Sequence, residues 1–310
     1  MARNYLAAKI LILIAVLGYF AYALYWFVRE IPWVVQITLN PSTYSPPGRF
    51  IATNSFSLSI EYLMEYSNFF GFLIRVVGAS FALLAVLLIL KNGTNSFLAV
   101  KDKISKALIF EGIYFLSLIP GIYYLLFLTV EPLNTMIFCS AELLVQILLI
   151  SPFLITLGLK VRKYKPGGPS LLRLAGLSSM NYVIALWLSY ILKWFEVALE
   201  MGGLFWFLTA YSSIGFLDSV VILSLAAAFA VGGFIQILRK GSGDNTMRWW
   251  GLSAIFLSIF MIIYVIYCAS VRIDWMIPFG ELWVIPIIGI GVYLLLKNPK
   301  VKGMPQIKQD

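Results

Sequence analysis

Histidine is absent from this chain, and cysteine occurs only twice in its 310 residues. Without histidine the commonest general base and the commonest metal and haem ligand are gone, and H-E-x-x-H zinc proteolysis with them. Cys139 and Cys268 stand far apart in apolar stretches, with no C-x-x-C and no zinc spacing. They read as two buried, inert thiols, a bridge between them being the alternative. Neither a cofactor nor a metal is expected. Charge is scarce too, at 12% of residues against about 25% in soluble domains. Asp218 is the lone aspartate inside an apolar run, so an intramembrane protease lacks its second aspartate. The late runs hold no central lysine for a retinal Schiff base, and no G-x-x-x-x-G-K-[ST] loop exists.

Apolar sequence is what the chain has in abundance. Hydrophobic residues make up 61% of it, with a mean hydropathy of +0.91. A water-soluble globule has nowhere to put so much apolar surface. Runs of about 20 residues suffice to cross a bilayer. Candidates lie at 8–28, 67–90, 107–130, 133–159, 175–197, 215–238, 250–271 and 279–296. The expected fold is therefore all-α: one polytopic membrane domain over 1–310, a bundle of about eight transmembrane helices.

Most of the 23 Lys and Arg fall at the N-terminus, in every second gap, and in the tail 297–310. They are Arg3 and Lys9; Lys91, Lys101, Lys103 and Lys106; Lys160, Arg162, Lys163, Lys165 and Arg173; Arg239, Lys240 and Arg248; then Lys297, Lys300, Lys302 and Lys308. By the positive-inside rule this predicts a cell-membrane protein with both termini cytoplasmic. The net charge of +9 does not point to nucleic acid, because no basic domain stands apart from the runs. Anionic lipid headgroups beside the basic loops are the expected partner, with a membrane-protein partner or a second copy also open. On this map Asn92-Gly93-Thr94, a glycosylation sequon, lies on the wrong side to be used.

The first run reads as a retained anchor, with cleavage after Ala21-Tyr22-Ala23 as the alternative. Residues 29–66 form the one sizeable external segment, broken by Pro41, Pro46, Pro47 and Gly48. Its second half, Phe56 to Tyr66, predicts an interfacial helix leading into the second run. The aromatic stretch Gly202 to Gly215 is too short to span and reads as an interfacial belt. Pro120-Gly121, Ser151-Pro152 and Pro286 should kink the third, fourth and eighth runs. Ser224, Ala228 and Gly232 recur every fourth residue and predict a helix-packing seam. A faint repeat, R-x-x-G-L-S, begins at Arg173 and again at Arg248, as tandem parallel hairpins would produce.

Each ionic group at membrane depth needs a partner or water. Arg75 in the second run and Glu142 in the fourth are expected to face each other, as the floor of a polar chamber open to the outer side or as a pair that fixes helix registry. Gln146, Asp218 and Glu281 would stand on the chamber walls. Glu111 is expected near the cytoplasmic end of the third run, neutralised by Lys103 or Lys106. Lys193 and Glu196 can pair within the fifth. Carboxylates are enriched toward the outer side, a weak bias toward cations at the mouth. Three functions remain open: a secondary transporter or channel for a small solute or cation, a non-catalytic membrane subunit or scaffold, and a lipid-modifying enzyme.

Overall fold

The computed structural model describes residues 2–39, 55–92, 97–122, 137, 140–141, 143–164, 171–200, 221–240 and 244–270. Apart from a turn at 117–118 and Tyr164, all of them are helical. The helices are α1 (Ala2–Leu39), α2 (Ser55–Asn92), α3 (Phe97–Leu116), α4 (Ser151–Lys163), α5 (Leu171–Glu200), α6 (Leu223–Lys240) and α7 (Asp244–Ser270). Four stretches are long and apolar enough to cross a bilayer: Ile12–Leu39, Tyr62–Lys91, Val100–Ile122 and Leu143–Lys163. Only 6% of the first is buried. Ile14, Leu17, Val28 and Val35 point outward, an arrangement that is stable in lipid and costly in water.

Several helices extend beyond their apolar runs. α1 runs through Pro32 to Leu39, and α2 starts at Ser55. The external segment expected at 29–66 is thus mostly helix, and its interfacial portion is the first turns of α2. The remainder, 40–54, lies outside the described residues. α3 starts at Phe97 and so takes Lys101, Lys103 and Lys106 into its opening turns. Long lysine stems lie along apolar surface while the ammonium reaches the interface, so a helix end tolerates them. Lys103 and Lys106 each set their Nζ over Phe81, at 5.5 and 5.1 Å.

Successive described helices are antiparallel neighbours. Between α1 and α2, Phe27 meets Phe69 and Trp26 stacks on Phe72, with centroids 5.1 and 5.8 Å apart. Between α2 and α3, Phe81 stacks on Phe110 at 5.8 Å, and Ser67 Oγ donates to Ser117 O at 2.6 Å. α3 pairs with α4, α5 with α6, and α6 with α7 in the same sense. α5 and α7 therefore run parallel, joined by a Tyr190–Phe260 edge contact at 5.0 Å. The ends near Lys91, Lys101, Lys163, Arg239 and Arg248 accordingly gather at one end of the bundle, with the start of α1.

The prolines break helices where expected in two cases. α3 turns at 117–118 just before Pro120, whose missing N–H cannot continue the ladder. Ahead of Pro152 the chain widens into a π-helical turn, Gln146–Ile150. Side chains answer both breaks. Ser67 Oγ donates to Ser117 O at the first, and Asn181 Nδ2 donates to Leu149 O at the second, where Ser151 Oγ also ties α4 to Gly112 O at 2.8 Å. Pro286 lies outside the described residues.

On α6 the buried face runs through Leu223, Ala226, Ala230, Gly233 and Ile237. Steps alternating between three and four residues hold one side of a helix, whereas a pure four-residue stripe drifts around it by about 40° per step. The stripe predicted from sequence accordingly sits off that face. Ser224 accepts a hydrogen bond from Trp187 Nε1 at 2.9 Å, Ala228 is exposed, and Gly232 lies against the Trp249 ring. Trp187→Phe should lower stability by about 0.6 kcal/mol, the average for such bonds between membrane helices, read as a lower melting midpoint in nanodiscs. A Ser224→Ala, Trp187→Phe double variant should lose no more than Trp187→Phe alone.

Candidate functional site

Close helix contact sets the site's position. Gly78 on α2 faces Ala107 and Phe110 on α3, and Gly71 faces Tyr114 and Ser117. A glycine at each level lets the two backbones approach, which brings the side chains between them into register. Arg75 and Glu111 are those side chains. The guanidinium Nη2 lies 3.0 Å from Glu111 Oε1. Arg75 falls near the middle of Tyr62–Lys91, and Glu111 at the middle of Val100–Ile122, so the pair is at mid-bundle height.

Aromatic rings complete the setting. Tyr19 of α1 donates its hydroxyl to Glu111 Oε2, and Arg75 Nε donates to that same hydroxyl at 3.3 Å. Arg75 Cζ stands 4.3 Å from the Tyr114 ring centroid and 5.4 Å from those of Tyr19 and Tyr22. One cation thus has a carboxylate, a phenol oxygen and three π faces around it, which replaces much of the hydration lost at this depth. Three helices contribute, so the cluster also locks α1, α2 and α3 in register.

The pair is not sealed. Arg75 and Glu111 keep 15% and 18% of their side-chain surface, and both line a cavity of about 510 Å³. The cavity reaches α1 at Val16, α3 at Phe115, α4 at Leu154, α5 at Leu186 and α7 at Met261. Its walls are mainly apolar, with the Arg75–Glu111–Tyr19 group as a polar end and Tyr182 and Tyr190 on the α5 side. The volume falls within the about 300–1,000 Å³ usual for small-molecule sites. Charges in the polar end cancel, so the chamber offers orientation by hydrogen bonds and rings more than a net field.

Of the residues singled out from sequence, Arg75 occupies this site. Glu111 is its partner, and the assignment of Glu111 to Lys103 or Lys106 does not hold, since both lysines are engaged over Phe81. Glu111 lies deeper than its place in the apolar run suggested because α3 begins well before that run. Gln146 opens the π-helical turn and is half-buried. Glu142, Asp218 and Glu281, proposed as the remaining floor and walls, lie outside the described residues, as does Cys139. Lys193 and Glu196 fall in the last turns of α5. Sequence reading passed over Tyr19, Tyr22 and Tyr114. A tyrosine on each neighbouring helix at the depth of a lone arginine was the available signal.

The sequence matches no protein-family model, and neither curated proteins nor solved structures include a chain similar to it. The arrangement of this chamber and its surroundings is therefore what any functional reading has to stand on.

Proposed function

We propose that this is a multi-pass membrane carrier for a small, uncharged or zwitterionic amphipathic solute, held in the cavity beside Arg75 and Glu111. The observation that carries the reading is the contact between a mid-bundle ion pair and a cavity of small-molecule size. A pair serving packing alone would lie in dry contact with no chamber beside it, which weighs against the scaffold. A lipid-modifying enzyme would need paired carboxylates, and among the described lining residues Glu111 stands alone with its charge already matched. The same matching argues against a cation as cargo. In this reading the chain crosses a cell membrane eight times, with both termini on the basic, cytoplasmic side. The alternating helices support that orientation by collecting the basic loops at one end.

Filling the chamber tests the reading. Ala82 lines it on α2, and Ala82→Phe should occupy the space beside the ion pair. Purified protein in phosphatidylcholine nanodiscs would be screened by melting against uncharged and zwitterionic amphiphiles, with simple cations as the opposing set. A solute at a hundred times its Kd should add about 2.7 kcal/mol to wild type and nothing to Ala82→Phe. Stabilisation by cations alone, or hits retained in Ala82→Phe, would overturn it. Hits would then be tested for uptake into proteoliposomes, where binding without uptake rejects the carrier.

A further inference from the structure

The R-x-x-G-L-S repeat acquires a use once α5 and α7 are seen side by side. Its two serines, Ser178 and Ser253, line one cavity of about 360 Å³ between those helices, toward the basic end of the bundle. A Cβ on Gly176 of the first copy would meet Ile237 of α6 at 3.0 Å and the Trp250 ring of the second copy at 3.9 Å, so the two copies lie within contact beside α6. Ser178 is 7% exposed, and its Oγ has no hydrogen-bond partner. Ser80 and Ser258 satisfy themselves on the preceding turn, bonding Val76 O and Ala254 O at 2.8 and 2.7 Å. Ser105, Ser140 and Ser189 are unmatched like Ser178 but line neither this cavity nor the chamber beside Arg75. A buried hydroxyl left unmatched is costly unless something else answers it. Ser253 Oγ donates to Ala226 O at 3.0 Å, so its oxygen keeps acceptor capacity.

Among the described residues no charged side chain lines this cavity, and Trp250, Met180 and Leu257 make its walls apolar. It shares Leu108, Leu154 and Tyr182 with the chamber beside Arg75, so the two spaces adjoin. We propose that the smaller cavity is a binding site for an uncharged, hydroxyl-bearing lipid-like molecule. Its hydroxyl accepts from Ser178 and donates to Ser253, and its apolar chain extends past Tyr182 toward the larger chamber. A charged headgroup would be desolvated here with nothing to balance it, so a neutral alcohol is the chemistry that fits. The site goes beyond the carrier reading and holds whether or not a solute crosses the membrane.

Photolabelling tests it. The probes are a long-chain alcohol carrying a diazirine and a terminal alkyne, and the matching alkane without the hydroxyl, each applied to wild-type protein in phosphatidylcholine nanodiscs. The alcohol should label peptides spanning 176–183 and 250–257 about fivefold more than the alkane, the worth of one net hydrogen bond. Excess unlabelled alcohol should compete it away. Ser178→Ala should bring the alcohol close to the alkane level, since donation to Ser253 alone then only offsets the cost of burying the ligand hydroxyl. The protein should melt no lower than wild type, because an unmatched hydroxyl has been removed. Equal labelling by both probes in wild type, an alcohol preference that survives Ser178→Ala, or labelling confined to outward residues such as Leu225 and Leu238, would overturn the proposal. Ala82→Phe, which fills only the Arg75 end, should leave the labelling in place; if the carrier reading alone is wrong, this result stands.

Discussion

Arg75→Ala should cost about 3 kcal/mol of stability, while the double variant Arg75→Ala, Glu111→Ala should cost less than that single change. Removing the guanidinium leaves Glu111 as an uncompensated carboxylate at mid-bundle height, with the Tyr19 hydroxyl still donating to it. Breaking one side of a buried pair typically costs about 3–5 kcal/mol, much of it the stranded charge. The lower end applies here because both groups keep some contact with the cavity and its water. Deleting both partners removes the stranded charge, and the coupling between the two positions should appear as roughly 2 kcal/mol in a double-variant cycle. Arg75→Lys should fall between, since an ammonium can pair with Glu111 but cannot lay a planar guanidinium on Tyr114. The measurement is reversible unfolding in nanodiscs or mild detergent. Strictly additive losses from the two single variants would mean that Arg75 and Glu111 do not depend on each other.

The class of the fold was legible from apolar content and run length, because a bilayer imposes a minimum length on every helix that crosses it. The description of four such helices in an all-helical bundle follows directly. Helix ends were less legible. Lys101, Lys103 and Lys106 look like loop residues by charge, yet they lie in α3, because hydropathy marks where lipid begins and not where hydrogen bonding stops. The same displacement hid the site. Measured along the apolar runs, Arg75 and Glu111 sit toward opposite faces of the membrane. Measured along the full helices they meet at the centre. Arg75 was found because a lone charge at depth demands an answer. Its expected partner, Glu142, rested on matched depth and opposite sign. Depth measured along the apolar runs placed Glu111 too far from Arg75 to pair with it. The tyrosines were missed for a different reason: in a chain with 17 of them, composition gives no hint which ones face a cation.

The α3–α4 contact should be the least forgiving interface in the bundle, with Gly158→Leu expected to cost about 3 kcal/mol. A Cβ built on Gly158 lies 2.9 Å from Ser105 O and 2.7 Å from Ile109 Cγ1. The isoleucine can turn aside, but the carbonyl belongs to the facing helix, so the helices themselves must part. Overpacking of this kind costs about 1–3 kcal/mol, and a leucine against backbone belongs at the upper end. Gly112 repeats the geometry from the other side, its added Cβ falling 3.2 Å from Ser151 O. Membrane helices are held by such close packing in place of a hydrophobic drive, so lost approach is not recovered elsewhere. Gly121→Ala makes the control, because among the described residues its Cβ would meet only Leu143 Cδ1, at an ordinary 3.5 Å, and its melting should be unchanged. The consequence reaches the chamber. Leu108 of α3 and Leu154 of α4 line both cavities, and Glu111 rides on α3. Parting the two helices should therefore draw Glu111 away from Arg75 and weaken amphiphile binding by more than the stability loss alone explains. Gly158→Leu protein that melts low yet binds a screened amphiphile as tightly as wild type would show that the chamber's walls are set by other contacts.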